Sequence, residues 1–372
     1  MNHPSAPGRL AEIDAAKGLA CLLMITAHFT SAKLLPFGTF AAPLFFACSG
    51  MNTILLIAKT RNNRRYDLFH VLFPLLLFFG GSTQVVIMHG GPLRIEPEFL
   101  QCIALSLLAL FLLDKVFRNP LGLGLLFPVP FLVRLLLPLA WLQRIQGTPL
   151  EYLAGSGFAL FPWLGFFLFG VFLLRVNRRT MVWLQGALAA GFVLTYALLR
   201  IPLDKFSTSL SYVFLALLAV AVAFSLARWV AAKASLRFFR GMTEFFALPG
   251  RNALMFLYLH YFVIRYWASK EIIPSLFLFL LLETLYLYSL CWVLLRIYES
   301  VRHEIALLPP VLFLLLALAT LRWAGWLTPL SELRLVDMAV GILFAFIYVL
   351  LRRAFASFCA RGRAPASVSS PR

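Results

Sequence analysis

A lysine and a histidine stand eleven positions apart in the first apolar segment, where KGLACLLMITAH runs from Lys17 to His28. In an α-helix eleven residues return almost to the starting direction, so both side chains share one face about 16 Å apart. That separation is about half of a ~30 Å hydrocarbon core. Ionisable groups at that depth are costly, and they usually face a cavity where they move protons or do chemistry. The spacing therefore predicts a functional site on this helix face.

The same face continues by steps of three and four residues, and it carries Asp14, Lys17, Cys21, Met24 and His28. Asp14 and Lys17 are close enough to pair at the helix start. A structural interpretation stays open, in which Asp14 is a helix-start acid, Lys17 reaches the membrane surface and His28 bonds a neighbouring helix. The depth of His28 favours the functional interpretation.

Other polar residues in this half of the chain could line the same cavity. The loop KTRNNRRYDLF carries Arg61, Arg64 and Arg65 at a spacing suited to phosphate oxygens, although ordinary positive charge on the cytoplasmic side explains it more simply. Within the predicted helices, helix packing or interhelical hydrogen bonds would also account for the remaining candidates, Ser49, Asn52 and Gln101.

A second histidine lies deep in a later segment, PGRNALMFLYLHYFVIRYW. Arg251 and Asn252 fall at the predicted helix start, and His260 follows about 12 Å further along the axis. All three are candidates for the cavity. The other histidines are predicted to lie in a loop or at the periphery: His3, His70, His89 and His303.

Membrane helices must position these side chains. The 372 residues are 62% hydrophobic and only 13% charged, too little charge for the surface of a soluble protein of this length. About twelve segments are long enough to span a bilayer, and the fifth, LLFPVPFLVRLLLPL, contains prolines that predict a broken or re-entrant element. We predict an all-α, polytopic transmembrane bundle of about 10–12 helices.

Charge and composition indicate the orientation and the domain organisation. Most Lys and Arg residues fall in alternate loops, which predicts a cytoplasmic N-terminus. We expect one transmembrane domain over residues 1–353 and a disordered basic tail over 354–372. Compact loops and the absence of an N-x-S/T sequon favour the inner membrane of a bacterium.

The same features argue against several other classes. The net charge of +18 does not indicate nucleic-acid binding, because the basic residues lie between apolar segments rather than on one patch. Five cysteines without a CxxC pair are expected to be buried apolar residues, so neither a disulfide framework nor a metal site is predicted.

The ordered motifs resemble the polytopic membrane acyltransferases, namely the acyltransferase-3 family and the related family of heparan-alpha-glucosaminide N-acetyltransferases. These motifs are R-L-x-E-I-D-A-x-K-G at Arg9–Gly18, His28 after nine further residues, Ser49–Gly50, and R-x-x-R at Arg61–Arg64. The segments EFLQCIALSLL, LFPWLGFFLFGVFL and GRNALMFLYLH also look like family helices, so the similarity extends from residue 9 to about 265. Lys17 replaces the usual arginine, which keeps the charge but loses the planar fork.

The resemblance implies acyl transfer across the membrane. Cytoplasmic acyl-CoA, with acetyl-CoA expected, would be a co-substrate rather than a tightly bound cofactor. The acceptor would be a hydroxyl or amine of an extracytoplasmic glycan or glycolipid. The family's histidine corresponds to His28 and its basic residues to Lys17, Arg61 and Arg64, beside which Arg65 is a further candidate for binding acyl-CoA. Membrane lipids are expected partners, and a homo-oligomer stays open.

Two mechanisms and one rival function remain open from the sequence. A neutral imidazole at His28 could act as a general base, or it could carry the acyl group covalently. The rival is a proton-coupled transporter or flippase that titrates His28 and His260. No internal repeat, which many transporters contain, is visible in the chain.

Overall fold

The computed structural model describes residues 10–29, 36–61, 63–89, 97–155, 157–205, 208–268, 277–301 and 335–361. These residues form helices and connecting turns, and no strand occurs among them. In this part of the chain six helices are long and apolar enough to cross a membrane: Phe37–Thr60, Phe99–Phe117, Arg178–Leu198, Leu210–Ala232, Leu281–Ser300 and Val340–Cys359. The predicted all-α membrane bundle is therefore confirmed. The cytoplasmic placement of the N-terminus stays a prediction.

The helices follow one another in chain order. They are α1 (Ala11–Phe29), α2 (Ala41–Thr60), α3 (Arg64–His89), α4 (Phe99–Phe117), α5 (Pro120–Leu125), α6 (Pro128–Leu136), α7 (Leu139–Arg144), α8 (Glu151–Ala154), α9 (Leu160–Leu173), α10 (Arg178–Val193), α11 (Leu210–Ala232), α12 (Arg237–Arg251), α13 (Ala253–Ala268), α14 (Phe277–Val301) and α15 (Leu335–Arg361). A 3₁₀ turn at Pro36–Phe40 precedes α2, and a π turn at Leu194–Leu198 extends α10.

The proline-rich fifth segment is broken, as its sequence predicts. It forms three short helices, α5, α6 and α7, and prolines occupy the first turns of α5 and α6. Proline is tolerated there because that backbone N–H has no partner inside the helix. The predicted span at 305–324 lies outside the described residues. The last helix continues to Arg361, past the predicted start of the basic tail at 354, and the residues after it are not described.

Helix α1 lies at the centre of the bundle and packs against α2, α11, α12, α13 and α14. Its contact with α12 is made backbone to backbone. A Cβ atom at Gly18 would overlap the carbonyl of Phe246, and one at Gly250 would overlap the carbonyl of Asp14. Small residues allow this approach, which gives van der Waals contact where a bilayer supplies no hydrophobic driving force. Beside this contact, the Tyr288 hydroxyl of α14 donates to the Gly18 carbonyl at 3.4 Å.

Helices α2 and α9 meet in a second close contact. Cβ atoms at Gly50 and Gly170 would overlap the carbonyls of Phe167 and Ala47 respectively. Ser49, beside Gly50, is buried at this crossing. The SG pair therefore lies where two helix backbones approach most closely.

Helix α13 runs beside α1 and in the same direction. The preceding α12 ends at Arg251, next to Pro249, and the Asn252 amide donates to the carbonyls of Leu248 and Pro249. The chain then continues into α13 along α1. This continuation brings residues near position 260 to the far end of α1, about 12 Å from the break.

Replacing Gly18 by alanine is expected to destabilise the protein. The added methyl group must push α12 away from α1, and overpacking of this kind costs about 1–3 kcal/mol. Thermal unfolding of the detergent-purified protein measures the effect.

Gly186→Ala is the matched control, because a Cβ at this position in α10 meets nothing within 4 Å. Alanine is also the better helix former, so this variant should be as stable as the parent or slightly more so. Equal melting temperatures for the two variants would contradict the close α1–α12 contact.

Candidate functional site

His28 lies in the last turn of α1, because α1 ends at Phe29. The sequence placed it in the middle of a longer predicted span, and in the structure it is about 25 Å along the axis from the helix start at Ala11. Its side chain is exposed. We call this end of the bundle, where α1 ends, the distal end, and the end where α1 begins the proximal end. The predicted orientation would make the distal end extracytoplasmic.

Three rings meet at the distal end. The His28 ring centroid is 5.3 Å from that of His260 and 5.1 Å from that of Tyr261. The rings of His260 and Tyr261 are themselves 4.2 Å apart. The two histidines that the sequence proposed separately, from α1 and α13, are therefore brought into contact. Tyr261 completes the group. The sequence did not identify it, because a tyrosine does not stand out in a helix rich in aromatic residues.

His260 is fully buried, with 0% of its surface exposed. Its ring stacks on Phe256 at 5.8 Å between centroids, and its Nδ1 lies 3.2 Å from the Phe256 carbonyl oxygen. A carbonyl oxygen can only accept, so Nδ1 carries the proton and Nε2 of the neutral ring is an acceptor. Among the described residues Nε2 has no hydrogen-bond partner. A buried polar atom left unpaired costs about 1–3 kcal/mol.

Lys205 brings a positive charge to this group. It lies in the loop between α10 and α11, close enough to His28 for a coulombic interaction. Its ammonium is 5.4 Å from the centroid of the Phe158 ring, and burial lowers the pKa of Lys205 to about 8. A single lysine in the loop IPLDKFSTS has no sequence feature that separates it from any other loop lysine, so nothing in the sequence marked it as a site residue.

Lys17 points into the bundle rather than to the proximal surface, where the sequence placed it. Its ammonium is 4.6 Å from the centroid of the Phe45 ring on α2, a cation–π contact. Asp14, which is 3% exposed, and the buried thiols of Cys21 and Cys48 are close enough to interact with its charge. Lys17 therefore lies between the proximal end and the two histidines.

The arginines after α2 divide into two kinds. Arg61 forms an ion pair with Asp114 of α4, with Nη2 and Oδ1 2.5 Å apart, and Asp114 is only 2% exposed. Arg64 and Arg65 are exposed at the start of α3, and the Arg65 guanidinium lies 5.2 Å from the Phe358 ring of α15. Arg61 is thus committed to a structural contact, whereas Arg64 and Arg65 face outward.

His70 lies near this arginine cluster, where the proximal ends of α2, α3 and α4 meet, a region that we call the proximal corner. The sequence predicted a peripheral position for His70, but the residue is only 6% exposed. Its Nε2 lies 3.0 Å from the Thr60 hydroxyl, and its ring stacks on Phe111. An ion pair between Lys115 and Asp67, 2.7 Å long, joins α4 to α3 nearby. These contacts hold the proximal ends of α2, α3 and α4 together.

Three of the remaining candidates have structural partners elsewhere. Gln101 forms the capping box of α4 with Glu98: its Oε1 accepts from the Glu98 backbone N–H at 3.2 Å. Arg251 pairs with Glu244 at 2.7 Å, and the Asn252 side chain donates to Glu299 at 2.9 Å.

The last two candidates lie on α2, where Ser49 is buried at the α9 crossing and Asn52 is half-buried. No metal-binding group of three or more His, Cys, Asp or Glu residues occurs in the part of the chain that the structure describes.

The bundle and its histidine pair define a polytopic membrane protein with an ionisable site at one end. The family model for the catalytic region of heparan-alpha-glucosaminide N-acetyltransferase matches residues 9–201, just over half of the chain. The chain belongs to this family, and the family indicates an acetyltransferase enzyme. No curated protein matches the chain. His28 and Lys17 fall inside the matched region, whereas Lys205 and His260 fall beyond it.

Replacing Arg61 by alanine is expected to leave Asp114 buried without its cation. Breaking a fully buried pair costs about 3–5 kcal/mol, and the partial exposure of Arg61 reduces this to about 2 kcal/mol. Thermal unfolding of the purified variant measures the loss.

Arg64→Ala removes the same side chain from an exposed position three residues away and should change stability by less than about 0.5 kcal/mol. Replacing both members, as Arg61→Ala with Asp114→Ala, should recover part of the lost stability, because no buried charge is left unpaired. An Arg61→Ala variant as stable as Arg64→Ala would refute this role.

Proposed function

We propose that this protein moves an acyl group, in the first place acetyl, from acyl-CoA to a hydroxyl or amine of a glycan or glycolipid. The observation that carries the proposal is the exposed imidazole of His28 at the distal end of the central helix, in contact with a second imidazole 5.3 Å away. Membership of an acetyltransferase family supports the reaction class. His28 is the residue proposed to act at the reacting carbonyl.

The donor would enter from the proximal end. The phosphates of CoA would bind the exposed guanidinium groups of Arg64 and Arg65, which suit phosphate oxygens. Arg61, already paired with Asp114, would contribute at most its remaining N–H groups. The pantetheine arm would then pass Lys17 and cover the roughly 16 Å of helix rise between Lys17 and His28.

The acceptor would reach His28 from the distal end. The family's name specifies the amine of an alpha-glucosaminide, so an amino sugar is the first acceptor to try. In the predicted orientation the distal end faces away from the cytoplasm, which agrees with an extracytoplasmic glycan. The compact loops favour the inner membrane of a bacterium as the location.

A neutral ring at His28 serves both mechanisms that the sequence left open. As a general base it would take the acceptor's proton while the acceptor attacks the thioester carbonyl. As a nucleophile it would carry the acyl group before the acceptor arrives. The ammonium of Lys205 repels a second positive charge at this position, and so favours the uncharged imidazole.

The contact between His28 and His260 also suits a proton-coupled transporter or flippase, because two adjacent imidazoles can pass a proton between them. Such a protein would not cleave acetyl-CoA. Release of CoA by the purified protein, measured with a thiol reagent, therefore separates the two functions.

His28→Ala is expected to abolish transfer of labelled acetyl from acetyl-CoA to p-nitrophenyl α-glucosaminide, with a loss of about 1,000-fold. The protein should stay folded, because the lost side chain is exposed. His70→Gln, which changes a buried histidine of the proximal corner, should retain transfer. Full activity of the His28→Ala protein would refute the proposed role.

Replacing Arg64 and Arg65 together by alanine is expected to raise the KM for acetyl-CoA about 10-fold and to leave the KM for the acceptor unchanged. With acetyl-pantetheine, which lacks the nucleotide, the variant and the parent should have the same KM.

The matched control replaces Arg178 and Arg179, an equally exposed arginine pair at the start of α10, by alanine. This pair should leave the KM for acetyl-CoA unchanged. If both double variants raise that KM equally, the effect is one of general charge and not of a phosphate site.

A further inference from the structure

A deeply buried nitrogen lies on the ring that contacts His28. Nε2 of His260 has no hydrogen-bond partner among the described residues, although the ring is 0% exposed and 5.3 Å from that of His28. We propose that His260 is the second catalytic base of this site, taking the proton of the acceptor while His28 carries the acyl group. This inference rests on the proposed acyl transfer and assigns the acceptor's half of the reaction.

The tautomer makes Nε2 a base. The Phe256 carbonyl, 3.2 Å from Nδ1, accepts the only proton of the neutral ring. Stacking on Phe256 holds the imidazole plane within 9° of that ring. A ring held in this orientation keeps the lone pair of Nε2 available to accept a proton.

A structural role explains these facts less well. Buried histidines in protein cores normally have both nitrogens satisfied, because an unpaired acceptor costs about 1–3 kcal/mol. His70 illustrates the ordinary case: it is also buried and stacked on a phenylalanine, but its Nε2 lies 3.0 Å from the Thr60 hydroxyl. The ring of His260 instead lies beside the histidine proposed for catalysis, where an acceptor's O–H or N–H would arrive.

With two imidazoles the transfer can proceed as two half-reactions. First, a His28 nitrogen attacks the thioester carbonyl, the C–S bond breaks, and the CoA thiolate leaves with the ring proton of His28 as CoA-SH. Next, the acceptor attacks the acyl carbon, the bond from that carbon to His28 breaks, and Nε2 of His260 takes the acceptor's proton and returns it to His28. A single imidazole that carries the acyl group cannot also be this base, so the second half-reaction needs another group.

The half-reactions are tested separately in the full-length protein. Exchange of labelled CoA into acetyl-CoA without acceptor measures the first, and transfer to p-nitrophenyl α-glucosaminide measures the second. His260→Asn keeps an N–H donor for the Phe256 carbonyl but removes the base at Nε2. We expect exchange within about 3-fold of the parent and transfer reduced about 100-fold or more.

Hydroxylamine as acceptor provides a readout that a structural role would not change. It attacks an acyl-imidazole readily without a base, so His260→Asn and the parent should form acetohydroxamate at similar rates. His70→Asn is the matched control, a buried histidine away from the site, and it should retain both exchange and transfer to the glucosaminide.

Several results would overturn the proposal. If His260→Asn and a second variant, His260→Gln, both lose exchange together with transfer, His260 supports the fold and is not a base. If His260→Asn transfers acetyl to the glucosaminide at the parent's rate, His260 is not the base and the proposal fails. If the parent transfers acetyl but never exchanges CoA, no acyl-histidine forms and the inference fails while the proposed function stands. If the parent neither exchanges nor transfers, the proposed function itself fails.

Discussion

The site depends on the backbone contact between α1 and α12. Gly18 and Gly250 allow these helices to approach so closely that a single added methyl group would overlap a carbonyl. Because α12 leads directly into α13, this contact also sets the position along the α1 axis at which α13 begins. That position in turn determines which residue of α13 contacts His28. A bundle in which α1 and α12 stood further apart would carry the same side chains without bringing the two imidazoles together.

Charged groups in the bundle separate into those with a structural partner and those left for a substrate. Arg61 with Asp114, Lys115 with Asp67, and Arg251 with Glu244 are ion pairs that join neighbouring helices at short distances. The charged groups of each pair already satisfy one another, so helix packing explains these pairs without a substrate. His28 is exposed, and Nε2 of His260 is unsatisfied among the described residues. The contact between these two imidazoles, rather than the number of polar residues, separates the proposed site from its surroundings.

Family membership and the site cover different parts of the chain. The matched region, residues 9–201, contains His28, Lys17 and the arginines after α2. The ring that contacts His28 comes from α13, and Lys205 follows shortly after the match ends. The second half of the chain therefore contributes directly to the distal group. If the inference about His260 holds, the first half would supply the group that accepts the acyl moiety and the second half the base that releases it to the acceptor.

The sequence by itself determined the features that depend on neighbouring residues: apolar length predicted the helices, prolines predicted the break into α5–α7, and helical periodicity put Lys17 and His28 on one face. It could not determine where α1 ends, the direction of the Lys17 side chain, or the pairing of Arg61 with Asp114, 53 residues away. Contact between His28 and His260 is a property of tertiary structure, since it depends on how closely two helices far apart in the chain can pack, and hydropathy carries no information about that distance.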